Sequence, residues 1–153
     1  MSAEINKASP FEASVANAAA LGVRKAAFAR EQPLGFFVAA MLAGIYVGFA
    51  IILICAVGAP FAKVASPAVR LVTGASFGIA LTLVVFAGAE LFTGNVMFLL
   101  FSRLRNMVSW GDLLRVWLYS WVGNLVGALA LAWLVVASQA LAPSDAFGFV
   151  ETA

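Results

Sequence analysis

The chain has 153 residues, 64% of them hydrophobic and only 10% charged, with a mean hydropathy of +1.04. Soluble domains carry about 25% charged residues, so these values exclude a water-soluble globular domain and indicate an integral membrane protein. The formal net charge is +2, with no histidine and a single cysteine. This removes the commonest metal ligand and general base, and rules out an intrachain disulfide or a Cys-based metal site. An enzyme is not expected, nor is a metal or other cofactor or a nucleic-acid partner.

Residues 1–8 read as a tail. Ser9, Pro10 and Glu12 then have the offsets of a helix start, with Ser9 as N-cap, Pro10 at the first helical position and Glu12 closing a capping box. An Ala-rich segment follows to Arg30, with Arg24, Lys25 and Arg30 placed where positive charge complements the helix dipole. Residues 1–31 are therefore expected to form a cytoplasmic tail and an amphipathic helix, lying on the membrane face or against a partner subunit.

Three uncharged runs follow, Pro33–Ala62, Leu71–Ala89 and Val116–Ser144. Each meets or approaches the roughly 20 residues needed to cross a hydrocarbon core. Residues 32–153 thus read as a three-span transmembrane domain, with spans at about 34–57, 71–101 and 116–142. The first span is too long and too far from the N-terminus for a cleaved signal peptide. Cys55, inside it, reads as an apolar filler. Small residues four apart recur in every span: Ala40, Gly44 and Gly48, then Gly74 and Gly78, then Gly123 and Gly127. Such rows let helix backbones approach closely in lipid, so a tight bundle or an oligomer is expected. Trp110, Trp117, Tyr119 and Trp121 read as an interfacial belt at the start of the third span. Seven basic residues fall on the side of the N-terminus and two, Lys63 and Arg70, on the other. The positive-inside rule then puts the N-terminus in the cytoplasm.

As one straight helix, 71–101 would measure about 46 Å at 1.5 Å per residue, longer than a core of about 30 Å. Gly88 and Gly94 bracket Glu90, Leu91, Phe92 and Thr93, so a break near 88–94 is expected, followed by a half-helix. A broken membrane helix frees backbone groups, which is tolerated only against protein or a water-filled cavity. The break is therefore a candidate pore-lining site. Thr93 or Asn95 is expected to cap the second half-helix, whose partly positive N-terminus would favour an anion. Glu90 is expected to turn away from the ion path, held by freed backbone amides or by a charged partner. The alternative is that Glu90 ends the second span at the interface and 91–102 form a surface helix.

The stretch "AGAELFTGN" at 87–95, preceded by "TGASFGIALTLVVF" at 73–86, closely resembles the signature of the formate/nitrite transporter family. The likeness extends to "QPLGFFVAAMLAGIYVGFAIILI" at 32–54 and "WVGNLVG" at 121–127, and the first of these looks more like the nitrite branch than the formate branch. The resemblance implies an all-α, aquaporin-like fold in the bacterial inner membrane. It further implies a homopentamer in which each protomer has a pore for a small monovalent weak-acid anion, nitrite first and formate as the alternative. Carried over residue by residue, it implies that Thr93 faces the permeation path and Leu91 lies at the cytoplasmic constriction. Phe77 and Leu81 become pore residues of the first half-helix; without the resemblance they read as ordinary helix packing. Family members are about twice as long, with two inverted three-span repeats and a His on the fifth helix. This chain resembles the first repeat only. It is expected to be a fragment, rather than a half-protein completed by an inverted second copy, because dual topology needs a weaker charge bias. A non-transporting membrane scaffold is the competing reading.

Overall fold

The structure, a computed structural model, describes residues 10–139. These form five helices: α1 (Pro10–Glu31), α2 (Pro33–Lys63), α3 (Val69–Phe86), α4 (Phe92–Leu104) and α5 (Trp110–Ser138). Helices α2, α3 and α5 are long and apolar enough to cross a membrane, whereas α4 is a shorter apolar helix. Pro10 opens α1 with Glu12 in its first turn; Ser9, expected as its cap, lies outside the described residues, as do 140–142 of the expected third span.

Helix α2 begins with Pro33 in its first turn and runs through Pro60 to Lys63, six residues beyond the expected end at Val57. Pro60 lacks the N–H that would bond the carbonyl four residues earlier, a loss taken close to the helix end. At 31 residues, α2 measures about 46 Å at the standard rise. That equals the stretch 71–101, yet α2 is unbroken. Excess length by itself therefore does not interrupt the second span; the local residues do.

The bundle is centred on the crossing of α2 with α5. A Cβ at Gly44 would run into the backbone carbonyl of Asn124, and one at Gly127 into the backbone carbonyl of Met41. Gly123 meets Ala40 at the same crossing, and Gly48 faces the Leu131 side chain. Two helices in lipid gain little from hydrophobic burial against each other, so this close backbone approach supplies the contact energy. Gly74 and Gly78 differ: nothing lies within 4 Å of the space a Cβ would take at either. On α3 the hydroxyls of Thr73, Ser76 and Thr82 bond back to carbonyls of their own helix, which satisfies them without a neighbour.

Helix α1 is docked on α4. Ala19, Ala26 and Ala29 are buried and share one face with Gly22, where a Cβ would strike the Phe98 carbonyl and the Ser102 hydroxyl. Ser102 Oγ donates to the Ala19 carbonyl at 2.6 Å. The Ala-rich face thus packs within the chain itself. A core of Ala26, Ala29, Phe36, Leu99, Leu113 and Val116 fills the space where α1, α2, α4 and α5 meet, with Phe28 packed edge-on against Phe36.

Helix α5 starts at Trp110, earlier than expected, because Ser109 and Asp112 close a full capping box. Ser109 Oγ accepts from the Asp112 N–H at 3.0 Å, satisfying one of the four N–H groups a helix start leaves open.

Candidate functional site

The second span is interrupted at 87–91. Helix α3 ends in a Schellman-type turn: Ala87 makes the last α-helical bond, to the Leu83 carbonyl, and Ala89 donates back to the Val84 carbonyl, with Gly88 between them at φ +72°. This left-handed conformation strains any residue with a Cβ and suits glycine. The apolar contact that accompanies such turns is present, since Val84 and Ala89 share a small buried cluster with Ala43. The chain then runs extended through Leu91 (φ −79°, ψ 129°), which occupies the N-cap position of α4.

Three backbone groups freed along this extended run have partners from another helix. The Glu90 N–H donates to the Ala39 carbonyl of α2 at 3.1 Å. Asn124 of α5 holds the rest: its Oδ1 accepts from the Phe92 N–H at 2.9 Å, while its Nδ2 donates to the carbonyls of Glu90 at 3.0 Å and Ala40 at 2.8 Å. One side chain therefore ties both sides of the break to α2. The expected cap is corrected here. Neither Thr93 nor Asn95 caps α4: the helix starts at Phe92 with Leu91 at the N-cap position, so both lie inside it, and Asn124 takes the first helical N–H.

Glu90 is 7% exposed, and its Oε2 pairs with Lys25 Nζ of α1 at 2.5 Å. The same ammonium lies 5.6 Å from the centre of the Phe98 ring. A buried carboxylate without a partner is strongly destabilising, and α1 supplies that partner from 65 residues away.

Beside the break lies a cavity of about 400 Å³, bordered by Lys25, Leu81, Val84, Val85, Gly88, Ala89, Glu90, Leu91, Thr93, Gly94, Asn95 and Phe98. Leu81, Leu91 and Thr93 thus meet at one cavity, together with Gly88, Glu90, Gly94 and Asn95. Phe77, one turn earlier on α3, does not border it, and neither does Phe92. Both Phe77 and Leu81 are exposed in this chain. The wall is mostly apolar, with a hydroxyl, an amide and a neutralised ion pair, and the α4 N-terminus opens beside it. Among the described residues no three His, Cys, Asp or Glu side chains gather as a metal would require.

A family model described as formate/nitrite transporter matches residues 12–153. The chain belongs to the formate/nitrite transporter family. It is 45% identical over 125 residues to the nitrite transporter NirC of Escherichia coli K12, covering 81% of this chain and 45% of that protein. It is 42% identical over 118 residues to a probable formate transporter of Methanothermobacter thermautotrophicus, covering 75% of this chain and 43% of that one. A solved structure of an FNT family ion channel superposes with a TM-score of 0.76 at 41% identity, covering 83% of this chain and 50% of that chain. The chain therefore spans about half the length of these relatives, and its five helices have the all-α, aquaporin-like fold of the family's first repeat, with the second transmembrane helix broken.

Two residues of the formate/nitrite transporter site escape a reading of the sequence. Lys25 looks like one of several basic residues ending an amphipathic helix, and nothing local distinguishes it from Arg24. Asn124 does leave a signal. It is the one amide side chain of α5, flanked by Gly123 and near Gly127 on the face that approaches α2, and polar residues inside membrane helices usually have a fixed partner.

Proposed function

We propose that this chain lines one half of an anion-conducting pathway in the bacterial inner membrane, within a homopentamer and with its N-terminus in the cytoplasm, and that the ion is nitrite. The observation that carries the reading is the cavity at the break, where Leu81, Leu91 and Thr93 border one space beside the N-terminus of α4. A half-helix N-terminus presents a partial positive charge that attracts an anion without binding it as tightly as a bare cation. Conduction needs that compromise, because an ion held too firmly does not leave. Lys25 borders the same cavity, but Glu90 offsets its charge. Leu81 and Leu91 form the apolar constriction, Thr93 offers the hydroxyl that replaces part of the ion's hydration, and Phe77 guards the approach along α3. The nitrite name of the NirC relative supports nitrite over formate.

The test is uptake of nitrite and of formate by liposomes holding the intact protein. Nitrite uptake faster than formate uptake is the expected result; flux of neither ion sinks the proposal. Thr93→Val should change the rate or the nitrite-to-formate ratio, whereas a membrane scaffold would be indifferent to it.

A further inference from the structure

The break holds one polar side chain to which this pathway assigns no task. Asn95 lies in the first turns of α4 and is 1% exposed, yet its Nδ2 finds no acceptor among the described residues. Buried polar atoms in folded proteins almost always have partners, so an idle buried donor calls for an explanation. The residue is enclosed by this chain and borders the cavity at the break, so the cavity is the space from which an acceptor reaches it. Asn95 borders the same cavity as Glu90 and Lys25, and the Glu90 carboxylate is the strongest acceptor there. A carboxylate has two oxygens and several lone pairs, and Lys25 Nζ occupies Oε2.

We propose that Asn95 is a positioning residue that acts through Glu90, its amide serving as a second seat for the Glu90 carboxylate. With Glu90 on Lys25, the pair offers the cavity no net charge. With Glu90 on Asn95, the carboxylate keeps a hydrogen-bond donor, and the Lys25 ammonium is released to a small monovalent anion in the cavity. Return of Glu90 displaces the ion, so the site binds and lets go without a permanently unpaired charge. The inference rests on the anion-pathway reading and adds to it the way in which substrate affinity at the break is set.

The experiment measures initial nitrite uptake against concentration, using liposomes with the intact protein. Asn95→Leu keeps the volume and removes the donor. It should raise the half-saturating nitrite concentration about tenfold, the size of one hydrogen bond to a charged group, with the maximal rate within about twofold. Asn95→Thr, which keeps a donor, should restore most of the affinity. Glu90→Gln, which no longer neutralises Lys25, should lower the half-saturating concentration, and adding Asn95→Leu to it should change nothing further. An unchanged half-saturating concentration in Asn95→Leu overturns the proposal, as does a full Asn95→Leu effect in the Glu90→Gln background. Should Asn95→Leu not assemble, a Glu90→Gln half-saturating concentration equal to or above wild type overturns it as well. A wild type that carries neither ion refutes the pathway and this inference together, whereas a conducting wild type with a silent Asn95→Leu refutes this inference alone.

Discussion

Phe92 donates its backbone N–H to the side-chain Oδ1 of Asn124 at 2.9 Å, so the first turn of α4 is closed by a residue of α5 rather than by a cap of its own. The Asn124 Nδ2 meanwhile holds the carbonyls of Glu90 and Ala40. Asn124→Leu fills the same space but leaves a donor and two acceptors without this partner. With a penalty of about 1–3 kcal/mol for each group left unsatisfied, a loss of about 3 kcal/mol is expected. Thermal unfolding of the intact protein in detergent checks it, and a melting temperature equal to wild type would remove Asn124 from the account of the break.

The Lys25–Glu90 pair, with side chains 19% and 9% exposed, should behave as a buried ion pair. Lys25→Met leaves a buried carboxylate without its counter-charge and should cost about 3–5 kcal/mol. The double variant Lys25→Met/Glu90→Gln should recover most of that loss, because a neutral amide is far cheaper to bury than an unpaired charge. A double-mutant cycle on unfolding free energies decides, and strict additivity would mean that the two groups do not interact.

Gly88 separates backbone strain from crowding, since it has φ +72° and nothing within 4 Å of the space a Cβ would fill. Gly88→Ala should lose about 1–2 kcal/mol through the left-handed conformation alone. Gly88→Asn should lose less, as Asn tolerates that region better. Equal stability of all three proteins would show that the break does not depend on this turn.

Gly127 tests the opposite case. Its φ is ordinary, but a Cβ there meets the Met41 carbonyl, so Gly127→Ala must push α5 away from α2 at a cost of about 1–3 kcal/mol. Gly111, whose Cβ would sit 3.7 Å from Ser109 Oγ in ordinary contact, is the control, and Gly111→Ala should stay within about 0.5 kcal/mol of wild type.

Much of the fold is legible in the sequence, and the physical reasons differ by element. Long uncharged runs locate α2, α3 and α5 because every backbone group in lipid must be satisfied within its own segment, and composition alone reports that. The break at 87–91 is marked by Gly88, whose left-handed turn stops α3. The length argument that also pointed to the break is not sufficient, since α2 is equally long and continuous. The cap assigned to Thr93 or Asn95 fails for a different reason. The helix begins at Phe92, so both residues fall inside it rather than at its cap position, and the free N–H is taken by a residue 32 positions away.

By itself the sequence determined what local chemistry dictates: membrane residence, helix positions, the small-residue faces of α2 and α5, the interruption of the second span, and the family resemblance carried by residues 87–95. Only the tertiary structure decided which residues hold the break and which share its cavity. Lys25, Ala39, Ala40 and Asn124 come from three different helices, and nothing local to any of them says that they meet. Their roles arise when the α1–α4 and α2–α5 packings bring them to the break, where backbone groups and a carboxylate removed from water need partners that the local chain cannot supply.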